Sequence, residues 1–171
     1  MLLSIILLLL GYNDEVSVKH VKHEIESFYN IKVTVQRADM PNIAYYKPRN
    51  RYRANILLHW LSKTYPGDRV IAITSHDIST TSGNIYDWGV FGLGSLHKNV
   101  SVTSVYRLKA KNIQDRLDKI VLHEIGHSYG LPHCTSSQPC LMKAGDHTLR
   151  AVDKEMKVLC SKCKQLLINQ L

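Results

Sequence analysis

His123-Glu124-Ile125-Gly126-His127-Ser128-Tyr129-Gly130-Leu131-Pro132-His133 (HEIGHSYGLPH) is the stretch on which the fold and chemistry of this chain turn. Immediately upstream, Ile113, Leu117, Ile120, Val121 and Ile125 recur at helical spacing and form an expected buried stripe, with Asn112 in the N-cap position and Gly130 as the left-handed closing residue. At about 3.6 residues per turn, His123 and His127 fall on one face one turn apart, so both imidazoles reach the same ion. Glu124, offset by about 100°, stands beside that ion as a base for metal-activated water. A third ligand from the same helix would be poorly aimed for a tetrahedron. Gly130 accepts positive φ, which lets the chain turn and bring His133 back from another direction. Three protein ligands leave the fourth position open, as in catalytic rather than structural zinc sites.

Working outward toward the C-terminus, Cys134 follows His133 directly, and Cys140-Leu141-Met142 and Cys160-Ser161-Lys162-Cys163 complete the set of four cysteines. Adjacent Cα atoms lie about 3.8 Å apart, so His133 and Cys134 can face two different ions roughly 10–13 Å apart. An oxidising compartment would turn the four thiols into two disulfides; a reducing one leaves them as a tetrahedral zinc site. A four-thiolate zinc would tie the C-terminal helix to the loop presenting His133. It would also hold Met142 as an apolar floor under the histidines.

H-E-x-x-H-x-x-G-x-x-H with a downstream methionine is the metzincin signature. The His133-Cys134 pair, Cys140-x-Met142 and the late C-x-x-C make the chain resemble one metzincin group in particular, the archaemetzincin family. Seventeen residues separate Met142 from Cys160, as in the family pattern, whereas five separate Cys134 from Cys140, one more than that pattern has. The strong match covers about the last 45 residues. Further upstream, AYYKPRNRYRANILL (44–58), VFGLGS (90–95) and VYRL (105–108) look like weaker landmarks of the same family. The resemblance implies a metallopeptidase that binds two zinc ions. His123, His127 and His133 would hold the catalytic one, with Glu124 as general base, and Cys134, Cys140, Cys160 and Cys163 the structural one. It also implies an α+β, metzincin-like zincin fold: an α/β-like part with a mixed twisted sheet and the active-site helix (1–130), and a small C-terminal helical subdomain with the methionine turn and the cysteines (131–171).

The N-terminal half reads as strand, helix, strand. MLLSIILLLL (1–10) is expected to be a buried central strand: no Lys or Arg precedes it, no small-x-small cleavage site follows, and it is too short to span a bilayer. If it belongs to a signal peptide instead, the protein is secreted; otherwise it is cytoplasmic. Val18, Val21, Ile25 and Phe28 predict a helix over 14–29 capped by Asn13 or Asp14. Ile31, Val33 and Val35 alternate with polar residues as in a half-buried strand. Ala54, Leu57, Leu58 and Leu61 mark a second helix, 65–68 a turn, and Val70–Ile73 a central strand. The Gly-, Ser- and Thr-rich stretch 75–99 is expected to be irregular, with a short strand or bulge at 88–93. The run from Val100 to Leu108 is expected to supply an edge strand that aligns an extended peptide.

A chain of 171 residues with 44% hydrophobic and 21% charged residues suits one soluble domain. The net charge of +8 is scattered without a run of like charges, so nucleic acid is not an expected partner. Tyr45, Tyr46, Arg49, Arg51, Tyr52 and Arg53 are expected to pack a loop and open the second helix rather than stack on bases. The remaining histidines lack ligand spacing: His20 and His23 read as an exposed pair, His76 as a loop residue, and His147 as a surface residue with some chance of touching substrate. The expected state is a monomer acting on peptides or proteins. The alternative is a zinc-bound interaction module without peptidase activity.

Overall fold

The computed structural model describes residues 4–145 and 148–170. Strand β1 (Ser4–Leu10) leads through Gly11 into helix α1 (Glu15–Tyr29), and strand β2 (Lys32–Ala38) returns parallel to β1. Asp14 caps α1, accepting the Ser17 N–H on its side chain. Two short strands, β3 (Tyr45–Tyr46) and β4 (Arg51–Arg53), precede helix α2 (Ala54–Thr64) and strand β5 (Arg69–Thr74). Strands β6 (Ile78–Ser82), β7 (Ile85–Val90), β8 (Gly92–Gly94) and β9 (Val100–Ser104) follow. Helices α3 (Ile113–Ser128), α4 (Leu149–Lys154) and α5 (Ser161–Ile168) complete the chain.

The main sheet has the order β2-β1-β5-β9-β8, with β8 alone antiparallel. Because β1 is central, its side chains are buried alternately on opposite faces. Ile5, Leu7 and Leu9 join the core formed with α1 and α3, while Leu8 and Leu10 join Leu57, Leu61, Val70 and Val102 under α2. The central strand expected at 1–10 is therefore present over Ser4–Leu10; Met1–Leu3 lie outside the described residues. β2 is an edge strand, which is why Val33 is buried but Val35 is exposed. Among the described residues no helix is long and apolar enough to cross a membrane.

Two expectations are corrected here. First, 75–99 is ordered: β6 and β7 form a bulged antiparallel hairpin, and with β3 and β4 they make a second sheet ordered β3-β4-β6-β7. Buried charges staple it. Asp77 receives both Nε and Nη2 of Arg107, at 2.6 and 2.8 Å, while Arg51 reaches Asp77 at 3.1 Å and Asp87 at 3.3 Å. Arg51 and Arg53 thus turn inward while Arg49 stays exposed, and Tyr45 packs on Tyr52. Second, β9 is not an edge strand. It is buried throughout, between β5 and β8, and the edge belongs to β8.

Helix α3 also departs from expectation at its start. Asn112 occupies the N-cap position in the left-handed region (φ 59°) and makes no side-chain cap. Ile113 is exposed, so the buried stripe begins at Leu117. The helix is instead enclosed by polar contacts as well. His20, half exposed, bonds through Nε2 to Asp118 at 3.0 Å, and Arg116 grips Asp153 through two nitrogens at 2.7 Å.

Candidate active site

The end of α3 sets the geometry. Gly130 (φ +80°) follows Tyr129 and closes the helix, its N–H donating to His127 O at 2.8 Å while Leu131 N–H donates to Gly126 O at 3.0 Å. This is a Schellman ending, and it sends the chain back toward the face that carries His123 and His127. The three imidazoles converge, with ring centroids 4.6 Å (His123–His127), 4.8 Å (His127–His133) and 5.5 Å (His123–His133) apart. One ligand atom from each lies within 4.8 Å of the others.

The two helical histidines are oriented from behind. Nδ1 of His123 lies 2.7 Å from Leu141 O, and Nδ1 of His127 lies 2.8 Å from Leu131 O. Each Nδ1 therefore carries the proton, leaving the Nε2 lone pair for an ion. Burial, reinforced by neighbouring His127, pushes His123 down to about 4, and burial lowers His127 too. Both rings are thus neutral at pH 7, the form that ligates metal. Three converging imidazoles, two of them neutral and oriented through their second nitrogens, fit zinc.

Glu124 is held on the cleft side of α3. Burial raises its carboxyl to about 8, opposed in part by the backbone N–H of Gly94. β8 approaches so closely that a Cβ on Gly92 would fall 2.8 Å from Glu124 Cγ. On Gly94, a Cβ would fall 2.6 Å from Glu124 O and 2.7 Å from His127 Cβ. Met142, fully buried, lies beneath: its Sδ sits 2.3 Å from where a Cβ on Gly126 would be, filling the notch that glycine leaves.

Behind His133 the four cysteine sulfurs also converge, all within 4.8 Å of one another, and none is bridged to another. Cys134 Sγ and Cys160 Sγ are 3.6 Å apart, close to the roughly 3.8 Å edge of a tetrahedron with zinc–sulfur bonds of about 2.3 Å. The one-residue longer loop between Cys134 and Cys140 is absorbed without displacing either sulfur from the cluster. The donor set is that of a closed structural site.

Residues 12–169 match the model of peptidase family M54. The chain belongs to that family. It is 34% identical over 163 residues to the archaemetzincin of Halobacterium salinarum, a match covering 85% of this chain and 91% of that protein. It is also similar to two crystal structures of archaemetzincins. The Methanopyrus kandleri structure has a TM-score of 0.82 at 29% identity, covering 98% of this chain and 94% of that one. The Archaeoglobus fulgidus structure, complexed with malonate, has a TM-score of 0.82 at 27% identity, covering 96% and 99%.

As a member of peptidase family M54 the chain is a metallopeptidase with the metzincin-like α+β fold, and its substrate class is peptide. A cleft of about 750 Å³ runs over the histidines and Glu124, bounded by β8, the β6–β7 hairpin, the 144–145 segment and one face of α4. Of the expected site residues, all eight fall into the two clusters or beside them. His76 is a backbone-anchored residue packed on Tyr52, away from the cleft. His147 lies outside the described residues. Sequence reading overlooked Gly92 and Gly94; the available signal was two glycines spaced i, i+2, hence on one face of a strand.

The close approach of β8 to α3 gives a direct test in this M54 peptidase. Gly94→Ala drives a Cβ into helix backbone and is expected to cost about 1–3 kcal/mol of stability. Hydrolysis should fall at least about tenfold, because the strand must lift from Glu124. Thermal denaturation and a peptide assay measure both; an alanine variant equal to the parent in each would show that the approach is unimportant.

Proposed function

We propose that the chain binds two zinc ions and hydrolyses extended peptides at the first of them, with His123, His127 and His133 as its ligands and Glu124 as general base. The observation that carries this reading is the convergence of three imidazoles, two of them oriented by carbonyls, beside a buried carboxyl in an open cleft. Zinc held there would supply a Lewis acid that polarises the scissile carbonyl and acidifies water. Glu124 accepts the proton of the attacking water on its carboxylate and returns it to the departing amine. Its burial keeps that proton from exchanging freely with solvent.

The free edge of β8, not β9, is the strand available to pair with an extended substrate, since β9 is enclosed on both sides. Cys134, Cys140, Cys160 and Cys163 hold the second zinc. A zinc site of four thiolates needs a reducing compartment, and on that reading the protein works in the cytoplasm.

Elemental analysis of the purified protein tests the reading together with a peptide-library assay. Two zinc ions per chain and chelator-sensitive cleavage restored by zinc are expected. One ion would remove the second site, and a zinc-loaded protein that cleaves nothing would remove the hydrolytic role.

A further inference from the structure

The cleft contains a second carboxyl that the hydrolytic reading does not use. Thr148, Ala151, Val152 and Glu155 all line it. Their spacing of i, i+3, i+4 and i+7 turns one face of α4 toward the opening. Glu155 ends that face, its backbone N–H donating to Ala151 O and Val152 O, both at 3.2 Å. Ile120, one turn before Glu124 on α3, lines the same cleft.

The Glu155 side chain is half-buried and makes no hydrogen bond or ion pair among the described residues. Lys119 acts on it electrostatically, but its ammonium is engaged by Asp115 at 2.7 Å and by Asp153 O at 3.3 Å. Burial raises the Glu155 carboxyl to about 7, and its charge is felt at Glu124. An underpartnered carboxyl at the end of an apolar wall suits a ligand with an aliphatic stem and a cationic tip. A glutamate serving only as a surface group would face water, not a cleft shared with the catalytic centre.

We propose that Glu155 determines specificity: its carboxylate receives the ammonium or guanidinium of a substrate lysine or arginine next to the scissile bond, while the stem lies on Ile120, Ala151 and Val152. The inference rests on the peptidase reading of the same cleft. It assigns the protein a preference for basic substrates despite its own positive net charge.

The test uses matched peptides carrying lysine or its uncharged isostere norleucine at each position flanking the cleaved bond. The zinc-loaded parent should favour lysine in kcat/KM by at least about tenfold, and Glu155→Gln should bring that ratio close to one. Binding is measured separately on zinc-loaded Glu124→Gln protein, with and without Glu155→Gln, by fluorescence anisotropy of the same peptides. There too lysine should be favoured, and the preference should vanish with Glu155→Gln. Equal affinities for the two peptides on the Glu124→Gln protein, or a lysine preference that survives Glu155→Gln, overturn the inference. A lysine preference in binding without any cleavage by the parent would instead sink the hydrolytic reading and leave the recognition role standing.

Discussion

Glu124→Gln is expected to lower peptide hydrolysis by about 10²–10⁴-fold, with both zinc ions still bound. Glutamine preserves the shape and the contact with Gly94 but cannot accept a proton. Because Glu124 lies beside the three imidazoles and is not one of them, its loss leaves the ligand set complete. The pH profile carries the same signature. Burial lifts the carboxyl to about 8, so in the metal-free protein the basic form is gained only as pH rises through that value. A cation held next to it favours the carboxylate and moves the limb to lower pH. Hydrolysis by the parent should therefore rise with pH on the acid side, and the glutamine variant's residual rate should lack the limb that belongs to Glu124. Initial rates from pH 5 to 9 alongside zinc analysis of each variant decide it. A glutamine variant with parental rates would mean that the proton is taken elsewhere.

The histidine site was legible because its information is local: helix spacing, one glycine and one return histidine lie within eleven consecutive residues. The central strand was legible too, since burial on both faces requires an uninterrupted apolar run such as Ser4–Leu10 supplies after its first residue. What escaped is what depends on distant partners. The β6–β7 hairpin is rich in Ser, Thr and Gly and has little apolar periodicity. Its sheet is held instead by Arg51, Arg53 and Arg107 against Asp77 and Asp87, which meet only after the chain has folded. β8 reads as Gly-Leu-Gly, with poor strand propensity, and glycine is required there by the approach of Glu124 and His127. Missing β8 made β9 look like the edge. Glu155 sits among Lys154, Met156 and Lys157, an ordinary surface context whose orientation is set by the end of α4.

Cys163→Ser is expected to remove one zinc ion per chain and to lower the melting temperature by about 10 °C or more, the scale of several kcal/mol in a domain of this size. Cys140, Cys160 and Cys163 are each at most 4% exposed, and Leu159 and Leu167 from the same tail enter the core formed with α1 and α3. A metal bound there therefore stabilises packing well beyond its own ligands. Without a cation four thiolates do not coexist. The Cys163 backbone N–H draws Cys160 down to about 6, while burial raises Cys140 and Cys163. Binding must then release protons, and acidification must release the metal. The effect should reach the catalytic centre. Leu141 O orients His123, Cys134 N–H donates to Met142 O at 2.7 Å, and Met142 fills the notch under Gly126. Loosening the cysteine cluster therefore frees the imidazole that the tail aligns, so the variant should also bind its remaining zinc more weakly and hydrolyse peptides more slowly. Calorimetry, zinc titration and rate measurements on one preparation separate these effects. If Cys163→Ser keeps two zinc ions and the parental melting temperature, the tail is held by apolar packing alone and the cysteines are not a metal site.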